Sequence, residues 1–93
     1  MKARINQRKH GVSFEDAMHV FRDPSALFEK QRVDENGEVR WQAIGLAGGV
    51  AVLLVAHTVR EEGPDDIVRL VSARRATRKE RIHYEQTRAQ DTG

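Results

Sequence analysis

The chain has no cysteine, which excludes a disulfide framework and a thiolate zinc site. Aromatic residues are scarce, at 5% of the sequence, with a single tryptophan and a single tyrosine. Long hydrophobic runs are missing too. The most apolar stretch, Val50 to Ala56, falls far short of the roughly 20 residues a bilayer span needs. The start, Met1-Lys2-Ala3-Arg4-Ile5-Asn6, has no apolar core of a secretion signal. Neither sign of charge dominates, since the formal net charge is only +2. The four histidines, His10, His19, His57 and His83, share no metal-ligand spacing. These absences point to a soluble cytoplasmic protein with no metal, cofactor or membrane contact.

What remains is ordinary globular composition, 39% hydrophobic and 32% charged over 93 residues, enough for one domain with a modest core. The charge is unevenly spread. Arg69, Arg74, Arg75, Arg78, Lys79, Arg81 and Arg88 crowd the last part of the chain, and Lys2, Arg4, Arg8, Lys9 and His10 open it. Two basic ends fit a polyanion site if the fold joins them. Two solvated arginine-rich helices explain the same pattern.

The order of elements reads as α+β. Residues 2–10 read as a short helix ended by Gly11. Ser13 caps a second helix, with Asp16 three residues later. Phe14, Ala17, Met18 and Phe21 form its expected apolar stripe, and Asp23-Pro24 stops it. Ala26 to Val33 is a first strand, turned by Glu35-Asn36-Gly37. Val39 to Ala47 is a second and Val50 to Val59 a third, with Gly48-Gly49 between them. Arg60 to Asp66 reads as a longer polar loop and Ile67 to Ala73 as a fourth strand. Thr77 and Glu80 open the last helix as a capping box, and residues 88–93 read as its frayed tail. The expectation is one domain over residues 1–93: N-terminal helices, a four-stranded antiparallel meander with the helices covering one face, and a C-terminal helix.

The motifs in this order resemble the BrnT toxin family. Lys9-His10-Gly11-Val12-Ser13-Phe14-Glu15 is similar to its KHGVSFEEA signature, and Asp23-Pro24 follows at the expected distance. Arg40-Trp41-Gln42-Ala43-Ile44-Gly45 resembles ERWxxIG, and His57-Thr58-Val59-Arg60 resembles (Y/H)TxR. Ile67 to Thr77 is similar to IRIISARKAT, and Arg78 to Tyr84 continues it. The resemblance departs at the start, where the family's first strand and WDxxK segment are missing and Lys2 stands for the lysine. An exposed sheet edge is then expected. The resemblance implies a RelE-like fold and a toxin of a two-gene toxin–antitoxin pair. It further implies metal-independent endoribonuclease activity that blocks translation, and a hetero-oligomer with a BrnA-like ribbon-helix-helix antitoxin.

Such chemistry needs cations at the phosphate, and bidentate guanidinium suits phosphate oxygens. Arg60, Arg69 and Arg74 are the candidate phosphate ligands in catalysis. Arg78 at the start of the last helix is a candidate RNA contact, favoured by the helix N-terminus. Glu80 is the candidate general base, with a purely capping role as the other reading. Tyr84 is either a stacking platform for a base or a core anchor. Lys9 and His10 stand in the family motif as RNA contacts or as a basic helix end. His57 is read as a core histidine and Trp41 as core. A non-catalytic RNA-binding module and a protein-interaction module of the same fold remain the alternatives.

Overall fold

The computed structural model describes residues 11–48 and 51–91, without the side chains of Glu61, Glu62 and Asp91. The expected helix over residues 2–10, with Lys9 and His10, lies outside the described residues. In chain order the elements are α1 (Phe14–Val20), β1 (Leu27–Val33), β2 (Val39–Ala47), β3 (Ala51–Glu62), β4 (Asp65–Arg75) and α2 (Arg78–Asp91). The strands form a four-stranded antiparallel sheet in the order β1-β2-β3-β4. The fold is therefore the α+β meander that the sequence patterning leads to.

The two helices lie on opposite faces of this sheet, not on one as expected. Residues that alternate along a strand point to opposite faces. Ala43, Leu53, Val55 and Ala73 pack with Val12, Ala17 and Val20 of the α1 region. Their strand neighbours Ile44 and Leu54 pack instead with Tyr84 of α2. The protein thus has two small cores on either side of one sheet, and the strands are apolar on both faces where both helices cover them.

Helix α1 begins where Ser13 suggests, with the Ser13 hydroxyl accepting the Asp16 N–H at 3.1 Å. Its buried stripe is different from the expected one. Ala17 and Val20 are fully buried, while Met18 is 58% exposed. The reason lies on β2. A Cβ at Gly45 would stand 2.8 Å from the Val20 Cγ1, closer than carbon atoms approach. The missing side chain at Gly45 admits Val20 and so fixes which side of α1 faces the sheet. The helix is also only seven residues long, so Phe21 falls at its cap instead of extending a stripe.

The expected loop over Arg60 to Asp66 is a hairpin instead. β3 and β4 run on to Glu62 and from Asp65, and Gly63-Pro64 alone connect them, Gly63 holding φ 65° as a tight hairpin turn requires. These strand ends project past both helices, so Ile67 and Val68 are both about half exposed. Without a core on either face, no apolar alternation marks the strands there.

Two β-bulges interrupt the ladders. One shifts the β1 register between Lys30 and Arg32. The other skips Val71 in β4, where Ala56 pairs Ser72 but His57 pairs Leu70. Each extra residue reverses which face the rest of its strand presents.

Candidate nucleic-acid interface

Arg69 and Arg74 are an odd number of residues apart, so a regular strand would point them to opposite faces. The Val71 bulge cancels that. Arg74 pairs Leu54, Arg69 pairs Thr58 and Arg60 pairs Ile67, and Leu54, Thr58 and Arg60 alternate along β3. All three candidate phosphate arginines therefore share the sheet face that carries α2. Arg60 belongs to β3, not to a loop, and is exposed. Arg69 donates to Glu38 at 2.9 Å and keeps 55% of its side chain exposed.

At the other end of this face the first turn of α2 meets β4. The capping box forms as the spacing leads one to expect. Thr77 N–H donates to the Glu80 carboxylate at 2.8 Å, and Glu80 N–H donates to the Thr77 hydroxyl at 3.2 Å. The same carboxylate takes the fork of Arg74, Nη1 to Oε1 at 2.8 Å and Nη2 to Oε2 at 3.0 Å. Arg74 also donates from Nη1 to the Arg75 carbonyl at 3.2 Å. These bonds leave part of a guanidinium's donor set available. Arg78, the first residue of α2, is exposed beside this pair.

Hydrogen bonds from Arg74, aided by Thr77 and opposed by burial, hold the Glu80 carboxyl down to about 2. Glu80 in turn raises the Arg74 pKa. A lowered carboxyl pKa stabilises the fold fully above the unfolded value near 4.5, and that stability is lost as pH falls toward about 2. The ion pair is partly solvated, so screening leaves roughly 1–2 kcal/mol of this effect. Burial lowers the His57 pKa from 6.5, and its stabilising contribution likewise shrinks as pH falls below 6.5. Denaturant unfolding across pH should show a first decline below about 6.5. A second decline, below about 4.5, should be smaller in Glu80→Gln, where Asp23 alone of the two lowered carboxylates remains. An unchanged acid limb in that variant would remove the ion pair from the acid response.

Tyr84 is where the structure decides between two readings. It is 1% exposed, and its hydroxyl donates to Asp23 Oδ2 at 2.5 Å. Burial and the Asp23 carboxylate push its pKa up to about 12. The ring anchors the core on the α2 face and presents no surface for stacking on a base. Asp23 also accepts the Leu46 N–H at 2.8 Å and the Ser25 N–H at 2.9 Å. Burial works against ionising Asp23, yet these donors, Tyr84 and Arg88 together hold its pKa below the ordinary value. The sequence suggests only a helix stop at Asp23-Pro24. A carboxylate just past a helix end that accepts a backbone N–H of β2 is not visible without the fold.

His57 sits in the core beneath α1. It is 4% exposed, its ring stands edge-on to Phe21 at 5.0 Å, and Nδ1 lies 3.4 Å from the Val55 carbonyl. It points away from the arginine face. A cleft of about 320 Å³ also lies on that opposite side, bounded by Asp16, His19, Leu53 and Arg75. It shares no residue with the arginine face.

Residues 1–80 match the family model described as the ribonuclease toxin BrnT of type II toxin–antitoxin systems. No curated protein matches the chain.

Proposed function

The chain belongs to the BrnT family of ribonuclease toxins of type II toxin–antitoxin systems, and on that premise we propose that RNA is cut on the arginine face beside α2. Membership makes RNA the substrate class and an antitoxin the partner. The finer reading is a metal-independent endoribonuclease acting in the cytoplasm on RNA needed for translation. The 2′-oxygen attacks phosphorus, its proton is taken up, the P–O5′ bond breaks, and a 2′,3′-cyclic phosphate and a 5′-hydroxyl result. The observation that carries this reading is the bulge-enforced placement of Arg60, Arg69 and Arg74 on one open face. Fixed guanidinium donors stabilise the charge that develops on a phosphorane.

In this reading Arg74 binds the scissile phosphate and Glu80 positions it. A carboxyl held at about 2 is a weak proton acceptor, because catalytic bases work best near the ambient pH. The positioning role is supported by the fork geometry at 2.8 and 3.0 Å. Glu80→Gln preserves the cap, since glutamine serves at that position. It also preserves one hydrogen bond to Arg74. Cleavage should fall by less than about tenfold, and a loss of ~10²–10⁴ would make Glu80 the general base after all. The BrnA-like antitoxin neutralises the toxin by covering the same basic face, where charge complementarity speeds encounter.

The direct test is purified protein with single-stranded RNA in excess EDTA. Cleavage leaving 2′,3′-cyclic ends is expected. RNA left intact in EDTA but cut with added divalent metal would overturn the metal-independent reading.

A further inference from the structure

Beyond the predicted ligands, the arginine face carries a second cluster. Cross-strand pairing lines up Arg32, Arg40, Thr58 and Arg69 in one row across all four strands. The row exists because of both bulges. Without the one in β1, Arg32 would not share a face with Glu29, and without the one in β4, Arg69 would not share a face with Arg74. Helix α2 covers a different part of the face, with Tyr84 over Ile44 and Leu54 and His83 at 3.4 Å from Glu29. The arginine row is outside that cover.

Within the row Arg69 is already bonded to Glu38. Among the described residues Arg32 and Arg40 have no ion-pair partner. Arg40 is half-buried, and its Nε is buried with no hydrogen-bond partner. Leaving a buried charged donor unmade is costly, so its presence calls for a partner that arrives from outside. A groove of about 220 Å³ adjoins it, lined by Gln31, Arg32, Arg40, Gln42, Ala56 and Val71 among others. Gln31 and Val71 are the two bulged residues.

We propose that Arg40 and Arg32 form a phosphate subsite that holds the RNA backbone away from the cleavage point. The inference rests on the ribonuclease reading of this face. Neighbouring strands lie about 4.8 Å apart, so two guanidiniums in register bracket one phosphate. With its Nε buried, Arg40 meets the phosphate through its Nη groups, and paired guanidinium N–H donors suit phosphate oxygens. The row lies four pairs along from Arg74, about 13 Å at the usual rise per residue. A short extended stretch of RNA covers that distance, with one phosphate at Arg74 and another at Arg40. The subsite thereby sets the minimum length of RNA that binds well.

The test uses a fluorescent single-stranded RNA with 2′-O-methyl riboses, which lacks the attacking hydroxyl and stays intact. Its anisotropy is titrated against wild type, Arg40→Gln, Arg32→Gln and the double variant across a range of salt. Each substitution should weaken binding about tenfold, as loss of a charged hydrogen bond does. Each should also flatten the log–log salt slope by about 0.7, the value per neutralised phosphate of a single strand. Arg32 is exposed, so Arg32→Gln reads the subsite even if Arg40→Gln unfolds, which thermal melting reports. Wild-type binding with the double variant within twofold and at the same slope overturns the subsite alone. Wild type that neither binds this RNA nor cleaves its 2′-hydroxyl counterpart overturns the ribonuclease reading itself. Intact RNA binding with weakened antitoxin binding would give the row to the protein partner and also overturn the proposal.

Discussion

Arg74→Ala should abolish growth inhibition in cells and slow RNA cleavage by about 10²–10³, the usual cost of one lost oxyanion donor, while the protein should still unfold cooperatively. The loss is large because Arg74 is the arginine whose geometry is already set. Its fork is held by Glu80 at 2.8 and 3.0 Å, and it stands next to last in β4. The fold tolerates the change. Glu80 keeps the Thr77 N–H at 2.8 Å and is partly solvated, so the released carboxylate regains water instead of staying buried and unpaired. A stability loss of about 1 kcal/mol is expected, small against the roughly 5–15 kcal/mol of a domain. Arg74→Lys should recover little, because an ammonium is a point charge without the planar fork. A folded Arg74→Ala protein that arrests growth like wild type would exclude Arg74 from the mechanism.

Tyr84→Ala should have the largest effect on stability, about 3–5 kcal/mol, as for other buried aromatic truncations. One of the two cores consists of Ile44, Leu54 and Tyr84 with a few partly buried neighbours, so nothing nearby is placed to fill the space. The melting temperature should drop by at least about 12 °C for a domain this size. Tyr84→Phe separates packing from the hydroxyl. It keeps the ring and removes one donor from Asp23, which still accepts from Leu46 and Ser25, and should cost about 1–2 kcal/mol. An RNA-stacking tyrosine behaves in the opposite way. Its alanine variant would melt like wild type and bind RNA weakly, and that pair of results would refute the core assignment.

Much of this architecture is legible in the residues. The Ser13 cap and the Thr77–Glu80 capping box form as their spacing implies, because a cap is a local hydrogen bond set by residues three apart. The limits of β2 are also readable, since turn residues flank a long apolar segment. What escapes the sequence is non-local. The Val71 bulge leaves no turn residue or break in pattern, yet it decides which arginines stand together. The rotation of α1 depends on the missing side chain of Gly45 in another element. Tyr84 could not be assigned from its position alone, because stacking platform and core anchor use the same ring. The Asp23 carboxylate joins α1, β2 and α2 across 61 residues of sequence at its longest bond, a range that no local pattern spans. Arg40 is overlooked for a similar reason: its isolation appears only when its strand neighbours are known.

The two bulges have a further consequence for the sheet as an open structure. β1 and β4 are its edges, and an edge strand offers unpaired N–H and C=O groups to any other chain. Uninterrupted, these edges would invite stacking of one molecule on the next. Each instead carries one bulge, at Gln31 and at Val71, which twists the strand and breaks the repeat another strand must match. The residues that gather arginines on one face therefore also make both edges of the described sheet poorer templates for another strand. Removing Val71 would act on both properties together, turning Arg69 to the other face and smoothing an edge for self-association.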